Sequence, residues 1–317
     1  MTFARTTNSY LGLLIPLLVG LICSAAAPAA SQTNLKFGYT PTSEYVGAYI
    51  AAEEGFFKSR GLDVELVLVP LNSNIPSALQ AGSLQVGGPT TATFLQAVDG
   101  GLDLVAVAGG SMMTRDSTNF SVVGRSAAGL QKQSDFVGKR VGIPGIGALM
   151  HVIFRKWLMV AGVDPKKVTF VEVGFPQMPD VIRGGAVDAV LSIEPVTTRI
   201  LQTGQAAVVT TMVKDLPDDL MIFVYATTAA FAKDNPETVR KFREALVDAA
   251  AFMTRNPDKA REDISKYTKL SFDVVKNVPL PELQIESNAK RLVDWIDIMN
   301  EQKMLKGKID EARLNVR

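Results

Sequence analysis

Apolar residues along this chain come in short runs, parted by Gly, Pro, Asn and Ser, with stretches at helical spacing between them. Leu35–Tyr39, Val64–Val69, Val86–Gly88 and Leu104–Ala108 read as strands. Helices fall between them, from about Glu44 to Glu54, from the Asn72-Ser73-Asn74 cap to Gly82, and from Thr91 to Val98. A second alternating series follows. Its strands are Val141–Ile143, Val168–Val173, Ala189–Ser192 and Ala206–Thr210, and its helices are Ala148–Ala161, Met178–Arg183 and Val196–Thr203. Strands alternating with helices at short intervals predict α/β structure with largely parallel sheets. Two β-rich runs, Phe120–Gly124 and Ile222–Ala226, sit between the blocks and read as the connectors by which the chain leaves the first block and returns. The remainder is helical. Pro236 opens a long helix with Val239, Phe242, Ala245, Leu246, Ala249 and Phe252 on one face, Asn256-Pro257 interrupts it, and Ser287–Gln302 forms a further amphipathic helix.

The first thirty residues are different. Arg5, an apolar run from Leu11 to Ile22 and a small-residue stretch from Ser24 to Ser31 have the order of a secretory signal peptide, with Ala27-Pro28-Ala29 as the cleavage motif and residues 1–29 as the leader. The run is too short to span a bilayer. A lipid anchor on Cys23 is the alternative, opposed by Ile22 where a small residue is needed before the cysteine. Cys23 is the sole cysteine, so an exported product has no disulfide, thiolate metal site or cysteine nucleophile. The 33 basic and 32 acidic residues balance to +1. No basic stripe appears, which argues against nucleic acid as a partner. One histidine and one cysteine make metal binding improbable.

The most distinctive local sequence is Lys139 to His151. Val141–Ile143 ends at Pro144-Gly145-Ile146-Gly147, and helical periodicity starts at Ala148. A strand, a glycine turn and a helix N-terminus in this order offer backbone N–H groups and a positive dipole end to an oxygen-bearing small ligand. A dinucleotide fingerprint is the sharper reading, but Met150 stands at its third glycine and Glu172 falls late for the ribose acid. A purely structural strand-to-helix turn is the plain one.

Further segments carry a resemblance. They are Ala51-Ala52-Glu53-Glu54-Gly55-Phe56-Phe57, Gly61-Leu62-Asp63-Val64-Glu65-Leu66, Ala78-Leu79-Gln80-Ala81-Gly82, Phe136-Val137-Gly138-Lys139-Arg140-Val141-Gly142, Gly185-Ala186-Val187-Asp188-Ala189, Glu194-Pro195 and Asn235-Pro236-Glu237-Thr238-Val239. In this order they resemble the periplasmic substrate-binding proteins of nitrate/sulfonate/taurine ABC transporters, which are related to thiamine-precursor binders. Gln85 departs from the family's usual Asp after the Ala-x-x-Gly turn. The resemblance implies a two-lobed type II periplasmic binding protein fold, with a hinge of two connecting strands and a helical C-terminal extension. Lobe one would be residues 34–118 with 226–317, and lobe two 122–221. It implies capture of a small organic or oxyanionic ligand (a sulfonate, nitrate, taurine or a nitrogenous or aromatic compound) and delivery to a permease with its ATPase. The protein would be a periplasmic monomer, without a cofactor, touching the membrane only through the permease. An enzyme on the same fold, such as a thiamine-pyrimidine synthase relative, is the alternative. That class uses a cysteine-rich stretch and a donor histidine, which this chain lacks outside Cys23 and His151.

Projecting the turns onto such a cleft selects candidate ligand-binding residues, with no catalytic or metal-binding set. Lobe one offers Ser43, Tyr45, Asn72, Ser73, Pro89, Thr90, Thr91, Ser111 and Met112. Lobe two offers Gly145, Gly147, Ala148, Phe175, Gln177 and Glu194. Plainer roles compete. Ser73, Thr90, Thr91 and Gln177 suit helix capping, Tyr45, Phe175 and Met112 suit the core, and His151 suits packing. Glu194 would repel a free anion and welcome an amine or ring N–H, whereas the glycine turn favours a carboxylate, sulfonate or nitrate group.

Overall fold

The computed structural model describes residues 1–7, 32–114, 116–286, 290–307 and 309–315. The chain divides into two units, residues 1–31 and residues 32–317. Residues 1–7 have no regular structure, and the apolar run, Cys23 and the cleavage motif expected of a leader lie outside the described residues. Everything below concerns the second unit.

The chain first lays down β1 (Thr33–Tyr39), α1 (Val46–Glu53), β2 (Leu62–Leu68), α2 (Ile75–Gln80), β3 (Val86–Gly87), α3 (Thr91–Asp99) and β4 (Leu104–Gly109). A short β5 (Ser111–Met113) leads across to the second lobe, which contains β6 (Phe120–Arg125), β7 (Arg140–Ile143), α4 (Leu149–Val160), β8 (Thr169–Glu172), α5 (Met178–Arg183), β9 (Ala189–Ile193), α6 (Val196–Leu201) and β10 (Ala206–Thr211). The chain returns through β11 (Leu220–Met221) and β12 (Val224–Thr228). It ends with α7 (Ala229–Asp234), α8 (Pro236–Arg255), α9 (Pro257–Thr268), α10 (Phe272–Val275), β13 (Glu282–Leu283) and α11 (Lys290–Glu301).

Two five-stranded sheets result, ordered β2-β1-β3-β12-β4 and β10-β6-β9-β7-β8. The sheets are mixed rather than largely parallel. β1 runs parallel to β2 and β3, and β7 to β8 and β9, while β12 and β6 enter antiparallel to both of their neighbours. The two reversed strands are the β-rich runs Phe120–Gly124 and Ile222–Ala226. Each follows a crossing between lobes, and a strand fed from the opposite lobe meets its sheet from the other end. The crossings lie just upstream of them, where β5 and β11 pair antiparallel (Met113 with Leu220, Met112 with Met221) and β13 adds to the far side of β5. Apolar periodicity shows that these runs are strands; it carries no record of which sheet they join.

α1 shows why the first lobe packs as it does. Val46, Ala48, Tyr49, Ile50 and Ala51 are all fully buried, and a helix apolar around most of its circumference has to lie inside. It packs against α8 and α9. α8 buries Val239, Phe242, Ala245, Leu246 and Ala249, and Phe252 meets Phe56 edge-on. α11 touches α3 of lobe one and α4 of lobe two. Trp295 Nε1 donates to the Met221 carbonyl at 2.8 Å, Gln302 Nε2 donates to the Val152 carbonyl at 3.0 Å, and Lys156 pairs with Glu301 at 2.6 Å.

Candidate functional site

The carboxyl ends of β1, β2, β7, β8 and β9 converge on a small cavity between the lobes. From lobe one it is lined by Thr40, Thr42, Glu44 and Tyr45 after β1, Asn72 after β2, and Thr90 at the start of α3. From lobe two come Phe120, Pro144, Ala148, Leu149, Met150, Phe175 and Ile193, with Ile222 from the returning chain. Its free volume is about 30 Å³. Open α/β sheets hold their ligands at this end of the strands.

The lobes are shut over the cavity. Ser43 Oγ donates to the Glu194 carbonyl at 3.1 Å, Asn72 N–H to the Pro144 carbonyl at 3.2 Å, Ser73 Oγ to Glu172 at 3.1 Å, and Leu149 N–H to Thr90 Oγ1 at 3.2 Å. The glycine corner therefore stands at the interlobe seam, but three of its donors are spent. Ile146 N–H is held by Glu172 at 2.7 Å, Gly147 N–H by His151 Nδ1 at 2.9 Å, and Ala148 N–H by the Gly145 carbonyl at 3.2 Å. Gly147 has φ of 80°, and a side chain there would run into Gln96. The corner meets the cavity with the side chains of Pro144, Ala148, Leu149 and Met150 rather than with a nest of free N–H groups.

Most of the polar lining of lobe one forms a hydrogen-bonded network, and Glu44 stands outside it. Tyr45 OH donates to the Gly88 carbonyl at 2.6 Å and accepts from Asn72 Nδ2 and Thr40 Oγ1, each at 3.1 Å. Asn72 Oδ1 accepts the Thr90 N–H at 2.8 Å, and Thr90 Oγ1 caps α3 by accepting from Thr93 N–H. Glu44 is 2% exposed, and neither carboxylate oxygen has a hydrogen-bond partner among the described residues. Burial raises its pKa to about 7, opposed only in part by the side chains of Ser111 and Asn119. Ser111 Oγ is itself buried and unpartnered.

The family model described as NMT1/THI5 like matches residues 42–260, which is most of the chain and includes parts of both lobes. The chain belongs to the NMT1/THI5-like family. A riboflavin-binding protein from Chloroflexus aurantiacus is 27% identical over 266 residues, covering 82% of this chain and 71% of that protein. A formylaminopyrimidine-binding protein from Halalkalibacterium halodurans is 25% identical over 81% of this chain and 77% of its own length. A pyrimidine phosphate synthase from Saccharomyces cerevisiae is 25% identical over 73% of this chain and 70% of its own. Among solved structures, the alkanesulfonate-binding protein from Xanthomonas axonopodis pv. citri superposes with a TM-score of 0.76 at 19% identity, covering 90% of this chain and 98% of that one. This likeness shows the two-lobed periplasmic binding protein fold.

In this NMT1/THI5-like chain, Tyr45, Asn72, Thr90, Ala148 and Phe175 line the cavity. Ser43 and Ser73 bridge the lobes beside it, and Gly145 packs against Ser73. Pro89 is buried with its carbonyl accepting from Val224, Thr91 donates to the Met221 carbonyl at 2.7 Å, and Met112 lies in β5 with its sulfur 3.5 Å from Arg291. Gln177 is exposed and makes no capping bond. Glu194 is half-buried, accepts the Thr198 N–H at 3.2 Å, and lines a separate groove with Thr118, Thr197 and Asp273. His151 is 6% exposed and packs edge-on against Phe170 at 4.4 Å; burial, with Arg155 nearby, lowers its pKa to about 4. Sequence reasoning passed over Glu44 between two residues it selected, together with the apolar wall of Phe120, Leu149, Met150, Ile193 and Ile222. The available signal for Glu44 was its position in the same post-strand turn as Ser43 and Tyr45.

Proposed function

We propose that this chain is the solute-binding component of an ABC importer, a periplasmic monomer that captures a small ligand between its lobes and delivers it to a permease with its ATPase. The observation that carries the reading is the cavity enclosed by both lobes at the carboxyl ends of their strands. A ligand there contacts both halves only when they are shut, so binding favours the shut arrangement and a permease reads that shape. The curated relatives named for riboflavin and formylaminopyrimidine binding support a solute-binding role. The similarity to the yeast synthase favours an enzymatic reading. Against it stands the state of the one histidine, buried and bonded to Gly147, which leaves it unavailable to a substrate in the cavity.

A thermal-shift panel of sulfonates, nitrate, taurine, aromatic acids and pyrimidines tests the proposal. A ligand at about 100 times its Kd adds about 2.7 kcal/mol to the folded state and raises Tm measurably. The expected result is one chemical class that raises Tm and is recovered intact. Conversion of the bound compound by purified protein would overturn the reading in favour of the enzyme.

A further inference from the structure

The wall of the cavity is apolar on most sides, formed by Phe120, Leu149, Met150, Phe175, Ile193 and Ile222. Most of its other polar side chains of lobe one are engaged: Thr40, Tyr45, Asn72 and Thr90 spend their groups on one another, on Gly88 and on Leu149. Of the described residues that line the cavity, only Glu44 has fully buried side-chain polar atoms with no hydrogen-bond partner, and it has two, both acceptors when ionised. No Lys, Arg or His pairs with it among the described residues, and none of them form a cluster of three or more metal-ligating side chains. The Ser111 and Asn119 side chains offset part of the cost of burying Glu44, but a buried carboxylate with no charged partner stays costly until one arrives.

We infer that Glu44 is the recognition group of this cavity and that its ligand is a compact nitrogen compound presenting N–H donors, such as an amidine, an amine or an amino-substituted ring, with an apolar body against the aromatic and aliphatic wall. The inference rests on reading the cavity as the ligand site of a binding protein. Two N–H groups facing one carboxylate form a bidentate, charge-assisted pair, stronger than neutral hydrogen bonds and directional. A sulfonate, nitrate or carboxylate in the same place would set acceptor against acceptor, and the adjoining glycine corner offers no free Ile146, Gly147 or Ala148 N–H to offset it. The free volume of about 30 Å³ has room for roughly two or three waters, so in the shut arrangement it holds a head group of a few atoms, and an apolar body the size of a ring is seated as the lobes part.

The test uses benzamidine and benzoate, which share a ring and a trigonal head group with donors and acceptors exchanged, together with methanesulfonate and nitrate. Binding is measured by calorimetry on the full chain, on Glu44→Gln and on Glu44→Asp. Benzamidine is expected to bind the parent at least tenfold more tightly than benzoate. Glu44→Gln, which replaces one acceptor by a donor at equal volume, is expected to lose at least tenfold, and Glu44→Asp to keep part of the affinity; circular dichroism melts establish that both variants fold. Equal or tighter binding of benzoate, methanesulfonate or nitrate, unchanged affinity in Glu44→Gln, or no binding of benzamidine overturns the inference. Anion binding that shuts the lobes would do so while leaving the importer reading in place, whereas chemical conversion of a probe would remove that reading as well.

Discussion

Replacing Glu44 by Gln tests the electrostatics of the cavity without any ligand. The carboxylate ordinarily titrates at 4.5 and in the fold at about 7, because burial penalises the ionised form. The folded state therefore binds the proton more tightly than the unfolded chain, and between pH 4.5 and 7 it carries more protons. Stability contributed through Glu44 is complete below pH 4.5 and is lost as pH rises to 7. Two and a half pH units at 1.36 kcal/mol each make the loss about 3 kcal/mol. Glutamine has no charge to desolvate, so the variant escapes this loss. Ligand-free Glu44→Gln is expected to gain about 3 kcal/mol relative to the parent on going from pH 4.5 to pH 8. The titrations of Asp263, Glu194 and His151 occur in both proteins and cancel in the difference. Tyr45, the titratable neighbour whose pKa responds to the Glu44 charge, is held far above this range by burial. The assay is urea unfolding of both proteins across that range, with m checked for constancy so that midpoints report stability. A parent–variant difference that stays flat with pH, or that favours the parent more strongly at pH 8 than at pH 4.5, would refute the reasoning.

Two further predictions concern the glycine corner. His151 is the chain's only histidine, and its Nδ1 accepts from Gly147, so the neutral ring carries its proton on Nε2. Nitrogen NMR should find that tautomer down to about pH 5 with a titration midpoint near 4; a midpoint near 6.5 would show that the imidazole is solvated. Because the folded pKa is depressed, this group should cost stability as pH falls from 6.5 towards 4. Gly147→Ala forces a side chain into the left-handed region and into Gln96. It should cost about 1–2 kcal/mol for the backbone alone in urea unfolding, with a neutral result excluding the conformation described.

The difference between what was legible and what was not follows from the range over which each signal acts. Helix and strand positions depend on neighbours in the chain, so β7, α4, α5 and the break between α8 and α9 could be placed from apolar spacing and Pro/Gly punctuation. Sheet membership depends on partners far away. Val122 pairs with Leu191 on one side and Thr210 on the other, and nothing in Phe120–Gly124 encodes either partner, so the run reads as a connector. The glycine corner shows the same limit for chemistry. A strand, turn and helix N-terminus promise free donors, but Glu172, 26 residues away from Ile146, and His151, one helical turn on, accept them first. Glu44 is the extreme case. An acid opening a helix ordinarily faces water and complements the helix dipole. It is instead a buried carboxylate that shares its cavity with Phe120, Ile193 and Ile222, which arrive from elsewhere in the chain. Recognition chemistry in a two-lobed protein is thus the property least visible in local sequence: each lobe supplies half of the environment, and the charge state of a side chain on one is decided by what the other excludes.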